Sequence, residues 1–138
     1  MRRATTLLVL LLSAMLLTLP ALAQDVISTV IGGGPSDMPA LDANLNFPVA
    51  IAVDSSGNYY IAASGQNRVF KVDTTGLLTV FAGNGLAGYS GDGVTGGAAN
   101  AALNNPQGVA VDASGNVYIA DTYNLVIRKV DTTNTITT

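Results

Sequence analysis

An all-β fold assembled from repeated four-stranded antiparallel sheets is what this 138-residue sequence predicts. Three observations carry that expectation: an internal repeat at an offset of 58 residues, apolar runs of strand length, and tight-turn residues at fixed places between the runs. Residues Leu45–Thr75 return as Leu103–Thr133 with 17 of 31 positions identical. Units that cannot bury their own faces must stack, so the core and any functional surface have to be shared between copies.

The chain opens with Arg2 and Arg3, an apolar run of 13 residues over Leu7–Leu19, and small residues at Ala21-Leu22-Ala23 before Gln24. That order is the one a secretory signal peptide has, and residues 1–23 are assigned to it. A helix of that apolar length reaches about 20 Å, short of the roughly 30 Å hydrocarbon layer of a bilayer. The assignment implies a secreted or periplasmic protein with no membrane attachment after cleavage. There is no cysteine, hence neither disulfides nor a lipid-attachment thiol. Residues 24–138 carry four cations against nine aspartates and no glutamate, a net charge of −5 that disfavours nucleic acid as a partner.

After the leader, Val26–Ile31 (VISTVI) is a β-rich run closed by Gly32-Gly33-Gly34-Pro35. It reads as the last strand of a sheet completed elsewhere. The first full unit, residues 45–81, is expected to hold strand a at Val49–Val53, b at Tyr59–Ala62, c at Arg68–Val72 and d at Leu77–Phe81. Residues 82–105 form a glycine-rich linker, with a short helical turn expected within Ala98–Leu103. The second unit, residues 106–138, repeats strand a at Gly108–Val111, b at Val117–Ala120 and c at Val126–Val130, and a fourth strand begins at Thr135. Between a and b stand Asp54-Ser55-Ser56-Gly57-Asn58 and Asp112-Ala113-Ser114-Gly115-Asn116. In such a turn the aspartate accepts bonds from turn amides and the glycine takes φ > 0. Strand a is apolar at nearly every position and rich in alanine, which predicts cover on both faces in a crowded place. A radial array of twisted sheets, the blades of a β-propeller, supplies that place beside its axis.

These residues resemble the NHL-repeat β-propellers, in particular their bacterial secreted members. The resemblance lies in Leu103–Asp112 (LNNPQGVAVD), Gly115–Thr122 (GNVYIADT) and Ile127–Asp131 (IRKVD), with Ala82–Gly93 (AGNGLAGYSGDG) similar to the linker of that group. The chain departs from the family at Asn124-Leu125-Val126, where an Asn-His-Arg run is usual, and at Ala63-Ser64, where the second unit has Asp121-Thr122. The family spans binding platforms, sensors and a few lyases, so the resemblance implies a fold and leaves the activity open.

Several chemistries are set aside on composition. Gly83-Asn84-Gly85-Leu86-Ala87-Gly88 spells a dinucleotide fingerprint, yet Tyr89-Ser90-Gly91-Asp92-Gly93 follows where a helix must open. With no histidine, cysteine or glutamate, a typical zinc site and a histidine base are both excluded. No cofactor is expected, and calcium is the one metal these side chains suit, with Asp92 its best ligand. The plainer role for Asp92 is to cap the amides of its own loop. Arg68, Lys71, Arg128 and Lys129 read as solvated edges of strand c.

Because strands alternate direction, the b–c loops and the linker emerge on one side. Tyr89, Asp92, Asp121, Tyr123 and Asn124 fall there and are the expected ligand contacts, for a protein, a peptide or a glycan. The competing expectation is that the linker only packs over the next blade. No catalytic residue is assigned, and the function expected is a secreted, non-enzymatic binding or scaffolding module. The alternative is a fragment of a secreted lyase or lactonase-type propeller whose active residues lie outside these 138. Two blades leave open apolar faces. The sequence is therefore expected to be the N-terminal piece of a propeller of about six blades, with Val26–Ile31 fastening the circle, or else to assemble as a homotrimer.

Overall fold

The computed structural model describes residues 37–138. The leader assigned to residues 1–23 and the strand expected over Val26–Ile31 lie outside the described residues. Two antiparallel sheets follow the repeat, in the order β1-β5-β4-β3-β2 and β6-β7-β8-β9. The first comprises β1 (Met38–Pro39), β2 (Pro48–Val53), β3 (Tyr59–Ala63), β4 (Arg68–Val72) and β5 (Leu77–Ala82). The second comprises β6 (Pro106–Val111), β7 (Val117–Asp121), β8 (Val126–Val130) and β9 (Ile136–Thr137). Both β2 and β6 begin earlier than expected, at a proline followed by a register shift, Pro48/Ala50 and Pro106/Gly108. Proline lacks the amide a regular ladder needs and is accommodated at such irregularities.

The turns are built as their residues require. Asp54 accepts bonds from the amides of Ser56 and Asn58, both at 2.9 Å, and Asp112 does the same for Ser114 and Asn116. Gly57 and Gly115 sit at φ 87° and 84°, a region closed to most side chains. The Tyr60 hydroxyl donates to Asp54, and burial, with that carboxylate beside it, pushes its pKa up to about 12.

The two-residue strand β1 was not expected, since it shows no alternation to read. It belongs to a feature that repeats. Residues Ala40–Asp42 and Ala98–Asn100 are matching one-turn 3-10 helices. Around them the chain bonds to the last strand of the blade that follows: Asp37 N–H donates to Leu78 O and Gly93 N–H to Ile136 O, both at 2.8 Å. Each inter-blade segment thus runs along the outer strand of its own blade and covers an edge that would otherwise be free.

The blades stack face to face, with β6 lying against β2 and β3. Tyr60, Val69 and Ala82 of the first blade meet Leu103, Val117, Ile119, Val130 and Ile136 of the second in one core. A second core lies on the other side of the first blade, where Ile61, Phe70, Val72 and Leu78 pack under Ala40 and Ala43. Cover on both faces of strand a is not found in the first blade. Ile51 is 61% exposed and Val53 55%, because no sheet lies on that side of β2 among the described residues.

Candidate functional site

The linker and the b–c loops do share a side. Each b–c loop is a 3-10 turn, Ser64–Gln66 and Thr122–Asn124. Asn124 donates through Nδ2 to Gly88 O at 2.7 Å and to Asp121 Oδ2 at 2.8 Å. Arg68 donates to Asn84 O at 3.0 Å, which ties the start of the linker to β4. Asn105 N–H donates to Asn67 Oδ1 at 2.8 Å, which ties its end to the preceding blade.

At the centre of the second blade lies Arg128, completely buried. The expectation of a solvated edge is wrong for this residue. Its Nη2 meets Asp92 Oδ1 at 2.6 Å and Ser90 O at 2.9 Å, and its Nη1 reaches Ala102 O at 3.4 Å and Asp121 Oδ2 at 3.5 Å. The Tyr89 ring stacks on the guanidinium with 4.8 Å to the centroid, a favourable place for a cation. A planar fork of donors suits two carboxylates and two carbonyls held at different angles. The repeat carried a signal for this burial: Arg128 aligns with Phe70, an interior residue of β4.

Asp92 does not cap its own loop amides. It accepts from Arg128, from the Tyr89 hydroxyl at 2.9 Å and from Thr138 Oγ1 at 2.7 Å. Burial pushes its pKa up, but the hydrogen bonds from Thr138, Tyr89 and Arg128, with the guanidinium charge, together hold it below the usual carboxylate value. Asp92 is thus paired with the guanidinium, and among the described residues no three histidine, cysteine, aspartate or glutamate side chains gather in a group that could hold a metal ion. Asp121 is fully buried and accepts from Asn104 N–H at 2.7 Å as well as from Asn124.

Four of the five residues expected at the site, Tyr89, Asp92, Asp121 and Asn124, are therefore brought together around Arg128, where they fasten the linker to the blade. Tyr123 stands apart, 68% exposed beside that network. Tyr89 keeps an exposed edge, and Leu86 and Val94 of the same linker are exposed with it. The glycine-rich stretch Gly83–Gly88 cradles no phosphate: the Gly83 and Asn84 amides donate to Ala98 O and Ala101 O, and Gly85 lies against the Arg68 guanidinium. The large side chains exposed on this side, Leu86, Tyr89, Val94 and Tyr123, are aromatic or apolar.

Comparisons with known proteins agree with this architecture. Residues 84–138 match the model of the Teneurin NHL domain. NHL repeat-containing protein 2 of Gallus gallus is 36% identical over 88 residues, which is 63% of this chain and 11% of that protein. A Bacteroides thetaiotaomicron protein of unknown function superposes with a TM-score of 0.61 at 26% identity, over 71% of this chain and 24% of that one. A streptogramin B lyase superposes with a TM-score of 0.53 at 12% identity, over 78% of this chain and 28% of the enzyme, a likeness of fold alone. The chain spans about a tenth or less of the length of the curated relatives it matches.

Proposed function

Since the chain belongs to the NHL-repeat family of β-propeller proteins, we propose that it is a secreted, non-enzymatic binding module whose linker side takes an uncharged peptide, protein segment or glycan. One observation supports this above the others. Each of the aspartates Asp54, Asp73, Asp92, Asp112, Asp121 and Asp131 is engaged by turn amides or by the Arg128 network, while Tyr123 and Tyr89 remain open to solvent. Carboxylates committed to structural hydrogen bonds are poorly placed to exchange protons with a substrate, whereas exposed aromatics on loops make good contact surfaces. Export rests on the order of residues at 1–23.

Arrays of neutral oligosaccharides and uncharged peptides test the reading. Tyr123→Ala should weaken whatever binds by about tenfold, as loss of an interface aromatic does, and Tyr59→Ala, on the first blade, should not. Binding indifferent to Tyr123, or chemical turnover of the bound compound, would replace the module with another reading, turnover favouring an enzyme whose reacting groups lie on other blades. For export, the mature protein should start at Gln24. Retention of residues 1–23 in the exported protein counts against it.

A further inference from the structure

The joint between the two blades holds a second set of polar groups, separate from the linker and from the Arg128 network. Beyond the contact of β6 with β2 and β3, a groove of about 390 Å³ opens between the outer strands of the first blade and the turns of the second. That volume lies within the range of small-molecule sites. Register places Tyr60, Lys71 and Thr79 side by side across β3, β4 and β5 on one wall, with Phe81 next to them. Asp131 and Asn134, in the turn between β8 and β9, stand on the other. Both walls consist of described residues.

The first wall carries an aromatic corner and a cation. Tyr60 and Phe81 meet edge to face with centroids 4.9 Å apart, and Lys71 Nζ stands 5.7 Å from the centre of the Tyr60 ring. Lys71 belongs to no ion pair among the described residues, so its donors are available. The facing wall supplies acceptors. Asp131 commits Oδ1 to Thr133 and to the Thr135 amide, while Oδ2 takes no bond from any described residue. Asn134 holds a left-handed position, φ 60°, that its counterpart in the first blade fills with Gly76. Glycine meets that backbone need with less strain. What the asparagine adds to the turn is an amide, whose Oδ1 is buried and accepts no hydrogen bond among the described residues. A half-turn of that amide exchanges Oδ1 with Nδ2 and brings the oxygen to the groove.

We propose that this groove binds a single neutral hexose unit, either free or at the end of a glycan. A simple anion drawn to Lys71 would also meet Asp131, and a simple cation the reverse, whereas each sugar hydroxyl both donates and accepts. In the bound state Lys71 donates to one hydroxyl, Asp131 Oδ2 and Asn134 accept from others, and the Thr79 hydroxyl does either. Phe81, partly exposed, offers the C–H face of the sugar ring an aromatic surface.

Titration of the purified, isotope-labelled protein with D-glucose, D-galactose, D-mannose and their methyl glycosides, followed through its backbone amide signals, tests the site. At least one hexose should shift the signals of Lys71, Thr79 and Asn134 with a dissociation constant of about 1 mM, the strength ordinary for so small a ligand. Lys71→Met and Asn134→Gly should each weaken it about tenfold. The second of these copies the first blade's own turn, so the fold is kept. Tyr123→Ala should leave the titration unchanged, and the groove and the linker side therefore stand or fall separately. Methyl glycosides bound as well as the free sugars identify the end of a glycan as the ligand, and methyl glycosides rejected identify the free sugar. Absence of shifts at about 50 mM sugar, where a millimolar site is saturated, overturns the proposal. So does a preference for acetate, methylammonium or glycine over the sugars, or binding that survives both substitutions.

Discussion

Replacing Arg128 by phenylalanine converts one position of the second blade into its counterpart in the first, Phe70. The swap removes the only charge that compensates Asp121 inside the blade among the described residues, and Asp121 is fully buried. Breaking a buried pair from one side costs about 3–5 kcal/mol. The low end applies, about 3 kcal/mol, because Asp121 keeps the bonds from Asn104 N–H and Asn124, and Asp92 is 36% exposed and partly hydrated. For a domain of about 100 residues that corresponds to a fall in Tm of about 12–24 °C. The first blade also shows the remedy. It has Ala63 in place of Asp121, and Gln66, aligned with Asn124, accepts from Asn46 N–H at 3.1 Å where Asp121 accepts from Asn104. Adding Asp121→Ala and Asn124→Gln to Arg128→Phe should therefore restore at least about 1.5 kcal/mol, since no buried carboxylate is left unpaired. Urea unfolding followed by circular dichroism measures all three. A single variant within about 0.5 kcal/mol of wild type, or a triple variant no better than the single, would refute the account of Arg128 as the compensating charge.

The remaining predictions concern backbone and pH. Leu125→Asn should raise stability by about 0.5–1 kcal/mol by relieving left-handed strain that Asn67 tolerates in the first blade; an unchanged urea midpoint counts against strain there. Gly83→Ala should destabilise by about 2 kcal/mol or more, because φ is 94° and a Cβ would come within 2.3 Å of Asn67 O. A melting temperature equal to wild type would show that the linker shifts freely. Asp54, Asp73, Asp92, Asp112 and Asp131 all have pKa values below 3.8 in the folded chain. The folded state then binds fewer protons than the unfolded one, so stability is complete above pH ~4 and falls as the pH drops through the lowered values. Urea midpoints flat down to pH ~2.5 would mean that the turn carboxylates contribute nothing.

The strands were legible because two kinds of signal coincided. Apolar runs gave Arg68–Val72 and Val126–Val130 with the bounds the structure has, and the aspartate–glycine turns fixed where the flanking strands begin. Strand β1 and the paths of the linkers were not legible, since their bonds run from glycines and alanines through backbone amides that no side chain advertises. The side on which the linker and Asp121–Asn124 converge followed from strand parity alone. What gathers there did not. Charge on strand c suggested solvent exposure, and only alignment of Arg128 with Phe70 gives the burial away, because a repeat conserves the inside of a blade more faithfully than the chemistry that fills it.

That difference also bears on where a ligand could act. The first blade closes its interior with Ala63, Phe70 and a glutamine, and the second with an ion pair that reaches outward through Asp92 and Tyr89 to the linker. The linker is tied to the first blade by Arg68 and Asn67, but among the described residues it is the second blade whose ion pair joins the linker to an aromatic ring at the surface. Contact with Tyr123 or the edge of Tyr89 would press on the same elements that Arg128 holds, whereas the equivalent place in the first blade, Gly65, presents no side chain at all. Were binding to occur equally at both blades, recognition would have to run through backbone alone, and substitution of Tyr123 would leave it intact.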